Sequence, residues 1–161
     1  MLIFLDTEFT GLFQADPKLI SLAMVPADGR TPFYAELIEG EGWTRNDCTE
    51  FVMLNILPIL KGGEYSVNRT ELRERLLAWF EGLPRSVSAA CDSEIDFHFL
   101  QQVLSDCWPE NLHERYYDLR PLIDTGVYHH AVQHFYTADQ PMHNALADAQ
   151  AYRQGWMAWQ S

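Results

Sequence analysis

The chain has 161 residues, 47% hydrophobic and 13% aromatic, which suits one folded domain spanning residues 1–161 and excludes wholesale disorder. No apolar run reaches the ~20 residues of a membrane helix, and Cys48, Cys91 and Cys107, odd in number and widely spaced, argue against a disulfide framework or a Cys-rich zinc site. The formal net charge is −12, from 23 acidic and 11 basic side chains. That balance argues against a basic face gripping long nucleic acid, and leaves either another substrate or a short strand end at which bound metal ions supply the positive charge.

The opening run, Leu2–Phe9, is short, apolar and ends in acids, which predicts a buried strand. It lacks a basic leader and a cleavage site, so no signal peptide is expected and a cytoplasmic location is. Leu19–Val25 and Phe33–Ile38 predict two more strands with an Asp28-Gly29 turn between them, together an antiparallel meander. Cys48–Leu57 has helical spacing and stops at Pro58. Asn68 with Glu71 three residues on forms a capping-box pattern, and Leu72, Leu76, Leu77 and Phe80 follow at helical intervals. Ser86–Cys91 predicts a central strand, Ile95–Cys107 a helix, Tyr116–Leu119 a short strand and Leu122–Phe135 a helix. Asn144–Trp159 closes the chain as a helix with Ala145, Ala149, Tyr152 and Trp156 on one stripe. Three strands followed by alternating helices and strands predict an α/β fold: a mixed five-stranded sheet flanked by helices.

Three segments place acids at the edge of an apolar element. Asp6 and Glu8 are two apart at the end of the first strand and share one face. Asp96 falls in the first turn of a helix that follows a strand. His143 precedes Asn144, a good N-cap, which puts Asp148 just inside the last helix. Each segment alone has a plain structural reading: a polar strand end, a Ser93–Asp96 cap, or acids complementing a helix dipole. Taken together, they would bring four carboxylates into one cleft, where they repel unless divalent cations hold them. Oxygen ligands suit Mg²⁺ or Mn²⁺, and two such ions could clamp both oxygens of a phosphodiester under attack. A neutral His could then take a proton from water.

These motifs resemble the DEDDh branch of the DnaQ-like 3′–5′ exonucleases, on the ribonuclease-H-like fold. Asp6-Thr7-Glu8-Phe9-Thr10-Gly11-Leu12 is similar to the family's Asp-x-Glu-x-Thr-Gly-Leu, Asp96 to Leu100 to its Asp-x-x-Phe-Leu, and His143 to Asp148 to its His-x-x-x-x-Asp. The resemblance implies that Asp6, Glu8 and Asp148 hold a first metal, with Asp6 shared by a second. Asp96 would act through that second ion or bound water, and His143 as general base. Phe9, Thr10, Gly11 and Leu12 would lie beside the terminal nucleotide, with Leu12 wedged at the base. Asp92 stands where the family often has Asn. The small size and the Asp-Thr-Glu-Phe start look most like bacterial exoribonucleases of the RNase AS type, which implies single-stranded RNA rather than DNA as partner, no membrane, and a homodimer. The alternatives are a proofreading-type DNA exonuclease, an inactive nucleic-acid-binding module and an unrelated acidic metal-binding protein.

Weaker signals remain. His129, His130 and His134 share one predicted helix, and the last two could chelate Zn²⁺ but lack a third ligand. Trp43 and Arg45 lie in a predicted loop that could meet a base and a phosphate, or simply pack on the domain. Trp156 and Trp159 suit a core or a dimer contact.

Overall fold

The computed structural model describes residues 1–161. Its strands are β1 (Leu2–Phe9), β2 (Leu19–Pro26), β3 (Phe33–Leu37), β4 (Ser66–Val67), β5 (Ser88–Cys91) and β6 (Tyr117–Asp118). The helices are α1 (Glu50–Asn55), α2 (Arg69–Glu81), α3 (Glu94–Leu104), α4 (Arg120–Ile123), α5 (Gly126–Phe135) and α6 (Ala145–Gln160). One sheet runs in the order β4-β3-β2-β1-β5-β6. The expected meander β1-β2-β3 is antiparallel, while β5 lies parallel to β1 and β6 parallel to β5.

Alternation along the strands sorts side chains between two cores. Ile3 and Leu5 of β1 face α2 and α3, packing with Leu76, Phe99 and Leu100. Phe4 points the other way, to Ala145 and Ala149 of α6 and Tyr128 of α5. Small residues on α6 let that helix approach the sheet closely, and Gly155 does the same for α5: a Cβ there would overlap the Tyr128 ring and the Val132 methyl. The even-numbered face of β1 thus continues from Phe4 into Asp6 and Glu8 beneath the start of α6.

The sheet has six strands, where five were expected. The extra one, β4, is two residues long and pairs with Glu36 and Leu37; a segment so short has no readable period. The predicted helix Leu122–Phe135 is two helices. Thr125 leaves the helical conformation at φ −79°, ψ 126°, and its hydroxyl donates to Leu122 O at 2.7 Å. A Thr-Gly pair that bonds locally competes with the helical ladder. The predicted helix over 48–57 shortens to α1, capped by Thr49. A 3₁₀ turn, Leu57–Ile59, follows, because Pro58 has no N–H to continue the α ladder. Asn68 caps α2 through the Glu71 amide at 2.9 Å, but the Glu71 side chain pairs with Arg75, so the capping box is half made.

Candidate active site

Asp6 and Glu8 lie side by side on β1, and a register shift between Glu8 and Phe9 twists the strand end where they stand. Asp148 comes from the first turn of α6, held there by Asn144, whose side chain accepts the Ala147 amide at 3.3 Å. One carboxylate oxygen from each of Asp6, Glu8 and Asp148 lies within 4.8 Å of the others. All three residues are buried.

Asp96 enters from the opposite face of the sheet. It caps nothing: Ser93 makes no side-chain cap to α3. Instead Asp96 Oδ1 accepts the Thr7 hydroxyl at 2.6 Å and the Thr7 amide at 3.2 Å. Thr7 points away from Asp6 and Glu8 because it is the odd residue between them, and so reaches α3. The fourth acid therefore borders the cluster of three and is tethered separately.

No lysine or arginine lines this cleft. Unit like charges ~5 Å apart repel by ~3–4 kcal/mol at an effective dielectric constant of ~20. Burial, then the charges of Asp96, Asp148, Glu8 and Asp92, hold the Asp6 carboxyl well above the usual range. Burial, then Asp148 and Asp96, do the same to Glu8. Burial pushes Asp96 up to about 7 against the Thr7 hydrogen bonds, and Asp148 up to about 6 against the nearby Tyr136 hydroxyl and the His143 amide. Asp148 Oδ1 is buried without a hydrogen-bond partner. Clustered acidic oxygens, one of them orphaned, with no cationic side chain to neutralise them, fit a hard divalent cation. Asp6, Glu8 and Asp148 could hold such an ion, with Asp96 at its edge.

His143 sits at the rim in the left-handed region, φ 66°, and its amide donates to Asp148 Oδ2 at 3.2 Å. That turn brings the ring back over the cleft rather than along α6. The ring meets Phe51 of α1 edge-on at 5.0 Å between centroids. Burial lowers the His143 pKa, which keeps the imidazole neutral and able to accept a proton near pH 7. The cleft encloses about 540 Å³ and is also lined by Phe9, Gly11, Leu12 and Phe51. Leu12 is 67% exposed at the edge of the cleft. Thr10, expected beside a bound nucleotide, does not face the cleft. It is fully buried, its hydroxyl donating to Gln14 at 2.7 Å and accepting the Lys18 amide at 3.0 Å. Its role here is to close the 11–17 loop.

Three further residues of the cleft carry no role in the motifs, Asp92 being noted only as a departure from the family's Asn. Asp92, at the end of β5, lines the cleft as a fifth acid, its pKa raised by burial. Tyr152 donates to Asp6 Oδ1 at 3.1 Å. It is four residues after Asp148 and so on the same helix face, a spacing that could have revealed it. Phe51 gave no signal, being one apolar residue of a short helix. Other candidates lie elsewhere. Trp43 is buried, with Nε1 donating to Leu37 O at 2.9 Å, so it packs on the domain. His130 and His134 are exposed with Nε2 atoms 2.9 Å apart. Trp156 joins Phe4, Tyr117 and Trp159 in an aromatic cluster.

No protein-family model and no curated protein sequence matches the chain. Solved structures do. S. pombe Pop2p, in its Mg²⁺- and Mn²⁺-bound form, has a TM-score of 0.62 at 15% identity, over 96% of this chain and 81% of that one. The fold is ribonuclease-H-like. Exonuclease I from Methylocaldum szegediense gives 0.57 at 14% identity, over 94% of this chain and 38% of that one. The fold expected from the motifs is the fold found, and neither neighbour is of the RNase AS type. No helix is long and apolar enough to cross a membrane.

Proposed function

We propose that this chain is a metal-dependent 3′–5′ exonuclease of the DEDDh type that removes nucleoside 5′-monophosphates from single-stranded RNA. The observation that carries the reading is convergence. Asp6, Glu8 and Asp148 place oxygens within 4.8 Å of one another, and Asp96 and His143 line the same cleft, which has no lysine or arginine side chain. The fold likeness to Pop2p, which was solved with Mg²⁺ and Mn²⁺, and to an exonuclease I supports it. The choice of RNA, the RNase AS type and a homodimer rest on the motif resemblance.

Divalent cations, two in this reading, would polarise the scissile phosphate and lower the pKa of water in the cleft. The chain's own residues do the rest. Asp6, Glu8 and Asp148 would hold the cations, and Asp96 would hold their outer waters in place. His143, neutral and at the rim, would accept the proton of the attacking water at its ring nitrogen and release it to solvent. Leu12 and Phe51 offer apolar surface for the terminal base, and the Phe51 ring meets that of His143 edge-on.

The test is turnover of end-labelled single-stranded RNA and DNA with Mg²⁺, Mn²⁺ or EDTA, alongside His143→Ala and Asp148→Asn. The expected result is a stepwise ladder from the 3′ end, abolished by EDTA and reduced about 10²–10⁴-fold in His143→Ala. A higher rate on DNA selects the proofreading-type alternative. Metal-independent binding without cleavage selects the binding module. No release from any strand overturns the nuclease reading. Sedimentation equilibrium decides the homodimer.

A further inference from the structure

Glu36 is a carboxylate on β3 with 3% exposure, far from any expected site residue in sequence. No arginine or lysine pairs with it. Its oxygens instead accept three neutral donors: the Tyr34 hydroxyl at 2.6 Å and the Lys61 amide at 2.6 Å on Oε1, and the Gly62 amide at 2.9 Å on Oε2. Gly62 stands at φ 64°, a conformation that glycine adopts without strain and that turns successive amides toward one anion.

The string continues into α6. The Tyr34 proton is committed to Glu36, so its oxygen can only accept, and it takes the Asn144 side-chain N–H at 3.4 Å. The Asn144 amide then has one orientation open to it, nitrogen toward Tyr34 and oxygen toward the Ala147 amide, the N-cap of α6. Reversing that amide would set an NH₂ group against the Ala147 N–H. The Glu36 acceptor at one end and the Ala147 N–H at the other therefore impose the same polarity along the string. His143 is the residue before this cap, in the left-handed conformation. The other arm of Glu36 ties down residues 61–62, which follow α1 and its Phe51, the ring against His143.

We propose that Glu36, acting through Tyr34 and Asn144, is a positioning residue for His143. It holds the cap of α6, at which the His143 segment enters the helix. The inference rests on the exonuclease reading for the role of His143 as base, but the string itself is a property of the fold.

Three variants test it. Tyr34→Phe removes the link. Glu36→Gln puts an amide N–H against one of the three donors and disturbs the polarity. Asn144→Ser keeps a capping oxygen for α6 but cannot reach Tyr34. The readouts are kcat and KM on single-stranded RNA, Mn²⁺ affinity by calorimetry, and amide hydrogen exchange of residues 143–148. The expected result, in all three, is kcat down about tenfold or more with KM and Mn²⁺ affinity within about twofold, and faster exchange at 143–147 with the rest of α6 unchanged. Unchanged kcat and unchanged exchange in folded Asn144→Ser and Tyr34→Phe would overturn the proposal, as would a loss of Mn²⁺ affinity matching the loss of kcat, since that would mark general damage to the site. If the unsubstituted protein shows no turnover, the exonuclease reading fails, and amide exchange alone decides whether the string orders the His143 segment.

Discussion

Thr7 and Asp96, 89 residues apart, are joined twice: the Thr7 hydroxyl at 2.6 Å and its amide at 3.2 Å both donate to Asp96 Oδ1. The residue between two cluster acids thus secures the acid on the far face of the sheet. One strand end serves both sides of the site because successive side chains alternate across the sheet.

Thr7→Val keeps the shape and removes the hydroxyl. Asp96 then loses its shortest hydrogen bond while staying buried, a change of about 1–3 kcal/mol. Its pKa, already up to about 7, should rise further, since the lost bond favoured the ionised form. The expected outcome is a fall in kcat/KM of about tenfold near pH 7 that shrinks at higher pH, measured with Mg²⁺ in steady state. A loss that is equal at pH 7 and pH 9 would contradict the pairing as the cause.

Stability without metal should fall as pH rises. Asp6 and Glu8 are raised well above the ordinary carboxyl range, Asp96 to about 7 and Asp148 to about 6, chiefly by burial. Between about pH 4 and pH 7 the folded state then holds more protons than the unfolded chain, so unfolding becomes easier as pH increases through that window. The depressed carboxyls Asp28, Asp47 and Asp118, each hydrogen-bonded to a neighbouring side chain, act with opposite sign below that window. In EDTA, Tm should be highest near pH 4 and decline toward pH 8. Saturating Mg²⁺ should flatten the decline by binding the ionised folded form. A scan in EDTA whose Tm climbs from pH 5 to pH 8 would refute this.

Asp6→Asn should separate stability from function. Removing one charge from the cluster relieves repulsion, so Tm in EDTA at pH 7.5 should rise by a few degrees, about 2–4 °C per kcal/mol for a chain of this size. The same variant should lose most of the Tm increase that Mg²⁺ or Mn²⁺ gives the unsubstituted protein. Retention of the full metal response would remove Asp6 from the site.

Substrate grip should be short and insensitive to salt. The cleft offers five acids, one histidine and no lysine or arginine, so phosphates beyond the scissile one find no fixed cation there. A contacted phosphate adds about 0.7 to the slope of log affinity against log salt for single strands. The slope for KM should therefore stay below about 1, and KM should change less than about threefold between strands of four and twenty nucleotides. A slope above 2, or a steep gain with length, would place a cationic track outside the cleft.

The sequence by itself determined the elements that carry the chemistry. Short apolar runs and the Asp28-Gly29 turn set the β1-β2-β3 meander, helical spacing set α2 and α3, and Asn144 marked the start of α6, because these signals are local and extend over several residues. Acids two apart on a strand, and His143 and Asp148 either side of a cap, were legible for the same reason. Only the tertiary structure decided the rest. β4 is too short to carry a period, and the break at Thr125 depends on one hydroxyl bond. Thr10 turned inward because the 11–17 loop closes on Lys18. Asp96 reached the site through Thr7, not through its own helix cap. Asp92, Tyr152, Phe51 and the Glu36 string are individually ordinary in sequence. Their roles exist only because the sheet brings β1, β3, β5 and α6 together at one end, where a carboxylate without a partner in sequence finds several in space.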